Sequence, residues 1–238
     1  MAVGPPSAIL LGMRKFKFYN GEIYHIYNRG TDKRNIVSNI FDTRRFFQSM
    51  KDFNSVKPIG SLYELSFCKH SEVQPGANRS KPLVRFITFC INPNHFHLVL
   101  KQVHDGGISE FMKRLSGGYT WYFNNRYKRS GVLFQGKFKA THVSSDNYLL
   151  RLSAYVNLNN KVHQLGGSTA KLVINSWEEY VDENFHGYPD HRSDFCDKDI
   201  ILKQFSGGKD YKRFALGALA DILNNKEQDK ELRRLLEE

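Results

Sequence analysis

The sequence predicts an α+β fold in which a central antiparallel sheet is flanked by helices and followed by a mainly helical C-terminal extension. Two adjacent strand patterns joined by a short turn predict antiparallel pairing. Amphipathic helical patterns lie on both sides of this strand pair along the chain. The 238 residues, of which 40% are hydrophobic, suffice for one well-packed domain and a small appendage.

The first predicted elements are a strand, a helix and a loop. Residues 22–28, EIYHIYN, are β-branched and aromatic and predict a strand, which the basic loop RGTDKRN follows. Asp42 is the expected N-cap of a helix, because apolar residues from Phe46 to Phe53 fall on one helical face. Residues 69–82 are polar, contain Gly and two prolines, and predict an exposed loop.

A pair of strands follows this loop. Residues 83–91 predict a strand, Asn-Pro-Asn predicts a turn, and residues 95–101 predict the antiparallel return strand. Because side chains alternate between the two faces of a strand, His95 and His97 point to one face and Phe96 to the other. The return strand, which we expect to be central in the sheet, therefore presents two imidazoles side by side.

Another helix and an extended segment come next. A stripe of apolar residues predicts a helix at 108–127, and the pair Gly117-Gly118 is expected to kink it. Residues 131–143 predict a strand or an extended loop.

The remainder of the chain predicts helices. Ser144 or Ser145 is expected to cap a helix that runs to about Asn159. Residues 163–171 predict a linker, and the apolar stripe at 211–223 predicts a strong amphipathic helix beyond it.

The charge is divided unevenly along the chain. Residues 1–164 contain 24 Lys and Arg against 9 Asp and Glu, a net charge of +15, whereas residues 165–238 have a net charge of −4. We therefore expect a basic domain at residues 13–164 and a helical acidic extension at residues 165–238. The basic domain indicates a polyanionic partner, although a solvated basic face would give the same composition.

Cysteine content and hydropathy argue against several classes of protein. The three cysteines are widely spaced and contain no C-x-x-C pair, which predicts a reducing, cytoplasmic compartment without a disulfide framework or a thiolate zinc site. No apolar run approaches the roughly 18 residues that a membrane span needs, so no membrane partner is expected. The first residues lack a basic segment and make a poor signal peptide.

Two pairs of residues have a spacing that fits a reactive site. His95 and His97 on one strand face can hold one divalent ion, but two packed or surface histidines would give the same weak H-x-H pattern. Tyr155 and Asn159 are four residues apart and share a helical face, where they could supply a nucleophile and a third ligand. From spacing alone, a tyrosine such as Tyr155 is more often a core residue than a nucleophile.

Seven motifs in a fixed order strengthen the functional interpretation. They are YHIYNRGTDKR (24–34), NPNHFHLVL (92–100), YTWYFNNRYKRSG (119–131), VLFQGKFKA (132–140), YVNLN (155–159), SWEEY (176–180) and DIILKQF (199–205). Together they resemble the REP-associated tyrosine transposases, a branch of the HUH single-tyrosine transposases, over roughly residues 14–215. One departure is that Asn160 and Lys161 follow Asn159 where the family usually has proline, so the helix end is less firmly fixed.

The resemblance implies a metal-dependent DNA endonuclease and strand transferase. Tyr155 would be the nucleophile that forms a 5′-phosphotyrosine intermediate, and His95, His97 and Asn159 would hold Mg²⁺ or Mn²⁺. The expected substrate is single-stranded or hairpin DNA, in particular repetitive palindromic elements, bound by a monomer or dimer.

Basic residues interleaved with aromatic ones are the candidate DNA contacts, because cations follow phosphates while rings stack on bases. The candidates are Arg29, Lys33, Arg34, Arg126, Lys128, Arg129, Lys137 and Lys139. Two alternative functions stay open. One is a domesticated nucleic-acid-binding protein that has lost cleavage, and the other is a metal-dependent phosphodiesterase that activates water.

Overall fold

The structure is a computed structural model that describes residues 17–57, 81–188 and 194–236, with side chains described up to residue 226. Its centre is a five-stranded antiparallel sheet in the order β4-β1-β3-β2-β5. The strands are β1 Ile23–Arg29, β2 Val84–Ile91, β3 His95–Gln102, β4 Lys139–His142 and β5 Ile174–Asn175. The predicted α+β fold with a central HUH strand is confirmed.

Helices flank this sheet. They are α1 Ile40–Asp52, α2 Gly107–Arg126, α3 Asp146–Asn157, α4 Asn159–Val162, α5 Gly167–Ala170, α6 Trp177–Val181, α7 Asp199–Leu202 and α8 Gly208–Leu236, and a 3-10 turn spans Thr31–Lys33. None of the helices in the described part of the chain is long and apolar enough to cross a membrane.

The two faces of β3 meet different partners, as its alternating pattern predicts. Phe96 packs against Phe46 of α1 with ring centroids 5.4 Å apart, and Phe46 in turn packs against α2. On the other face, the ring of His97 lies 5.5 Å from that of Tyr155 on α3. The α1 and α2 side is therefore the apolar core, and the α3 side contains the imidazoles.

The start of α1 differs from the prediction. Asn39, not Asp42, is the N-cap, and its side chain accepts hydrogen bonds from the first turn of the helix. Asp42 lies fully buried inside the helix, where its carboxylate accepts from the backbone N–H of Ser38 and from the hydroxyls of Tyr122 and Tyr127. Both residue types cap helices, so sequence alone did not separate them.

Several other boundaries also shift. Helix α2 continues through Gly117 and Gly118 without the predicted interruption, and a Cβ atom at Gly118 would lie 2.4 Å from the ring of Phe53. Within 131–143 only the four residues of β4 form a strand, and the predicted linker at 163–171 includes the single turn α5. The predicted loop at 69–82 lies almost wholly outside the described residues.

The chain beyond residue 164 packs on the sheet domain. Strand β5 pairs with β2, and Tyr211 and Ala215 of α8 are fully buried in the shared core. Tyr211 donates and accepts hydrogen bonds with residues of α3. The division into a domain at 13–164 and an extension at 165–238 stays a prediction, but the two parts share one core in the described residues.

Candidate active site

A cavity of about 500 Å³ lies where β1 and β3 meet the end of α3. Its lining combines imidazole, phenol, amide and cationic groups. The lining residues are Tyr27, Asn28, Arg29, Lys33, Asn94, His95, Phe96, His97, Gln135, Lys139, Tyr155, His163 and Leu165. The register of β1 on β3, which pairs Tyr27 with His97 and Arg29 with His95, brings the two strands' polar residues to one face.

The hydrogen bonds of His95 define its tautomer. Its Nδ1 lies 2.6 Å from Oδ1 of Asn94, which can only accept, and its Nε2 lies 2.9 Å from Nδ2 of Asn92, which can only donate, so both contacts are satisfied with the proton on Nδ1. Burial lowers the pKa of His95, while Oδ1 of Asn159, which would accept from a protonated ring, acts in the opposite direction, so the ring is neutral at pH 7. The other nitrogen, Nε2, therefore presents a lone pair to the cavity side.

That lone pair faces a second acceptor. Nε2 of His95 lies 2.9 Å from Oδ1 of Asn159, and Nδ2 of Asn92 donates to both atoms. Nδ2 of Asn159 is buried and has no hydrogen-bond partner among the described residues, so the contacts of Oδ1 set the orientation of the amide. Octahedral ligands about 2.1 Å from an ion lie about 3 Å apart, so this nitrogen and oxygen fit neighbouring positions around Mg²⁺ or Mn²⁺.

The second imidazole of the pair is held by a third. Nδ1 of His97 lies 2.9 Å from Nε2 of His25 on β1, and both side chains are 8% exposed. Among the described residues no group of three or more His, Cys, Asp or Glu side chains is arranged to hold a metal. An ion at this site would therefore need the amide of Asn159 in addition to His95 and His97.

Tyr155 reaches the same site from the opposite side. It is half-buried on α3, and its ring meets that of His97 edge to face at 5.5 Å. Desolvation raises the pKa of Tyr155, while the nearby amide of Asn159 acts in the opposite direction. The hydroxyl is therefore protonated at neutral pH and needs help to act as a nucleophile.

Buried polar contacts fix the helix from which Tyr155 projects. Ser145 caps the start of α3, as predicted, and the helix ends at Asn157. Oδ1 of Asn157 accepts from Oγ1 of Thr88 on β2 at 2.7 Å, and its Nδ2 donates to the hydroxyl of Tyr211 on α8 at 2.8 Å. The tyrosine helix is thus anchored to the sheet on one side and to the C-terminal helix on the other.

Comparisons with known proteins agree with this arrangement. Residues 78–159 match the family model described as transposase IS200 like. This part of the chain, about a third of its length, is similar to the IS200-like transposases. The match extends from before β2 to Asn159, so it includes both histidines of the HUH pair and Tyr155. It supports a transposase-like, DNA-processing function.

Two further comparisons concern the whole chain. A search of curated proteins finds no match. Among solved structures, the chain is similar to one described as a REP-associated tyrosine transposase bound to a REP hairpin, with 12% sequence identity and a TM-score of 0.48. The match covers 82% of this chain and 95% of that chain.

The candidate site gathers only some of the predicted DNA-binding residues. Arg29, Lys33 and Lys139 line the cavity. Arg126 instead lies 3.4 Å from the buried carboxylate of Asp42, and Arg129 donates to Asn124. The predicted residues that do not line the cavity are Arg34, Arg126, Lys128, Arg129 and Lys137.

Sequence reasoning missed two histidines of the candidate site. His25 contacts His97 across the sheet, and the ring of His163 lies 4.7 Å from that of His95. The alternation of EIYHIYN places His25 on the same face as Tyr27, but only the register of β1 on β3 shows that this face meets the HUH pair. His163 follows Asn159 by four residues, a spacing that could have indicated it.

Proposed function

We propose that this protein is a metal-dependent DNA endonuclease and strand transferase that cuts single-stranded or hairpin DNA through a covalent 5′-phosphotyrosine intermediate. The observation that supports this function best is the convergence of Tyr155, His95, His97 and Asn159 from separate elements on one site. Packing alone gives no reason for a phenol, two neutral imidazoles and a buried amide to meet at one site.

Tyr155 performs the chemical step in this proposal. Its oxygen attacks the scissile phosphorus, the bond from phosphorus to the 3′ oxygen breaks, and the 5′ phosphate stays on the tyrosine. The phenol loses its proton and the departing 3′ oxygen gains one, so the protons balance. The new ester conserves the energy of the phosphodiester, so the 3′-OH of another strand can reverse the step and complete strand transfer.

The ligands proposed for Mg²⁺ or Mn²⁺ are Nε2 of His95, His97 and Oδ1 of Asn159. A divalent ion bound there would act as a Lewis acid that stabilises charge on the phosphate. Imidazole ligands favour Mn²⁺ over Mg²⁺. The neutral ring of His95 and the fixed amide of Asn159 keep these donor atoms in place without a reorganisation step.

The proposed substrate follows from the lining of the cavity. Arg29, Lys33 and Lys139 place positive charge beside the half-buried Tyr155, where a phosphate must enter to be attacked. A single strand, or the unpaired end of a hairpin, can enter such a cavity more readily than a stacked duplex. Repetitive palindromic DNA is the proposed natural source.

The test is incubation of the protein with labelled hairpin DNA and Mn²⁺, followed by denaturing electrophoresis, with EDTA as the control. A labelled protein–DNA adduct that needs the metal is the expected result. Cleavage without an adduct would instead identify a phosphodiesterase that activates water. Tight binding without cleavage would identify a domesticated binding protein.

A further inference from the structure

The contact between His25 and His97 joins two buried imidazoles on neighbouring strands. Nε2 of His25 and Nδ1 of His97 are 2.9 Å apart, and the rings stack at an interplanar angle of 20°. Tyr27, which pairs with His97 in the sheet, stacks on the same ring at 24°. Between β1 and α3, the ring of His97 therefore has little freedom to rotate.

Only one proton can lie between the two nitrogens, and its position decides what His97 can do. If His25 donated, Nδ1 of a neutral His97 would accept, and the ring proton of His97 would lie on Nε2, where it blocks coordination. If His97 donates from Nδ1, its Nε2 carries a lone pair. The same hydrogen bond thus either prevents or permits a bond to an ion.

We propose that His25 is a positioning residue that accepts the Nδ1–H hydrogen bond of His97 and thereby keeps Nε2 of His97 free to bind the divalent ion. This inference rests on the proposed function, in which His97 is a ligand. Histidine ligands almost always donate their second ring N–H to a protein group, which fixes both the tautomer and the ring orientation.

The neighbouring histidine supports this assignment independently. His95 also uses Nδ1 for a protein acceptor, Oδ1 of Asn94, and leaves Nε2 towards Asn159. Both imidazoles of the HUH pair are then held in the same way, each through Nδ1 by its own partner. The partner of His97 is a neutral ring 72 residues away, which adds no charge to a buried site.

The first test reads the tautomer directly in the wild-type protein without metal. Imidazole ¹⁵N chemical shifts, assigned by comparison with His97→Ala, should show Nδ1 of His97 protonated and Nε2 unprotonated. A protonated Nε2 would overturn the role of His25, whatever the protein does to DNA. In His25→Leu, which removes the acceptor and retains bulk, the shifts should move towards a mixture of the two tautomers.

The second test measures Mn²⁺ affinity in the absence of DNA, from the electron paramagnetic resonance signal of free Mn²⁺. His25→Leu should weaken binding by roughly 10- to 100-fold. His25→Gln, whose amide oxygen can still accept, should recover most of the loss. His104→Leu, the same change at an exposed histidine that does not line the cavity, is the matched control and should bind as the wild type does.

The outcomes separate this inference from the proposed function. If His97→Ala abolishes Mn²⁺ binding but His25→Leu does not weaken it, the metal site stands and the role of His25 is wrong. Equal losses in His25→Leu and His25→Gln, with both variants folded, would also overturn the acceptor role. If the wild type does not bind Mn²⁺, the proposed metal site fails and the role of His25 fails with it.

Discussion

The hydroxyl of Tyr211 connects α8 to the helix of Tyr155, and Tyr211→Phe removes it. Tyr211, Ser153 and Asn157 are all fully buried. Oγ of Ser153 donates its only proton to the carbonyl of Leu150 at 2.7 Å, so the Tyr211 hydroxyl must donate to Ser153 at 3.1 Å. The same hydroxyl accepts from Nδ2 of Asn157 at 2.8 Å. Its removal leaves a buried amide hydrogen without a partner.

The cost of this substitution follows from the donor that is left without a partner. A buried donor left without a partner costs about 1–3 kcal/mol, because the group remains desolvated. In a chain of this size each kcal/mol lowers the melting temperature by about 2–4 °C. We therefore expect Tyr211→Phe to lower the free energy of unfolding by about 1–3 kcal/mol and the melting temperature by roughly 2–12 °C.

Guanidinium unfolding measures this loss, and amide hydrogen exchange locates it. Exchange should accelerate in α3 around Tyr155, because the helix loses one of its two anchors. Tyr148→Phe, at an exposed position on the same helix, is the matched control and should change stability by less than about 0.5 kcal/mol. A loss in Tyr211→Phe no larger than in this control would refute the reasoning from buried hydrogen bonds.

The other predictions concern the cavity, the extension and pH. His95→Ala should reduce DNA cleavage far more than DNA binding, since binding draws on many cations; equal losses in the two assays would contradict a metal role. Lys139→Glu should reduce the log–log salt slope of single-strand binding by about 0.7 or more, whereas Lys203→Glu, outside the cavity, should not. Deletion of residues 206–238 removes the buried Tyr211 and Ala215 and should lower the unfolding midpoint, and an unchanged midpoint would show that α8 does not stabilise the core. Burial lowers the pKa of His25 from its ordinary value of 6.5 to about 4, so the folded protein resists protonation that the unfolded chain accepts. The free energy of unfolding should therefore fall as the pH is lowered from 6.5 to 4, and His25→Gln should flatten that decline.

Local patterns predicted much of the fold. The strand pair at 83–101 was predictable because alternation and a proline turn are local signals, and the structure places β2 and β3 there. The start of α1 was not predictable, because asparagine and aspartate both cap helices. Only the tertiary contacts of Asp42 show that it lies inside the helix and that Asn39 is the cap. The reason for glycine at position 118 was likewise hidden, because it is the close approach of Phe53, which lies far away in sequence.

The candidate site was predictable to the extent that its residues are close in the chain. The spacing of His95 and His97, and of Tyr155 and Asn159, is visible in the sequence, and the family resemblance joined the two pairs. The roles of Asn92 and His25 were not predictable, because they depend on how the chain turns and on the register of β1 against β3. Tyr24 and Tyr180 also precede an asparagine by four residues, but the structure buries both tyrosines almost completely.

The most direct test of the central claim is to identify the residue that becomes attached to DNA. After reaction with hairpin DNA and Mn²⁺, nuclease and trypsin digestion followed by mass spectrometry should find a nucleotide on the peptide 152–161, whose only tyrosine is Tyr155. Tyr155→Phe should form no adduct, whereas Tyr27→Phe, which alters the other tyrosine lining the cavity, should retain it. A nucleotide on the peptide 18–29 with Tyr27, or an adduct that persists in Tyr155→Phe, would contradict the account.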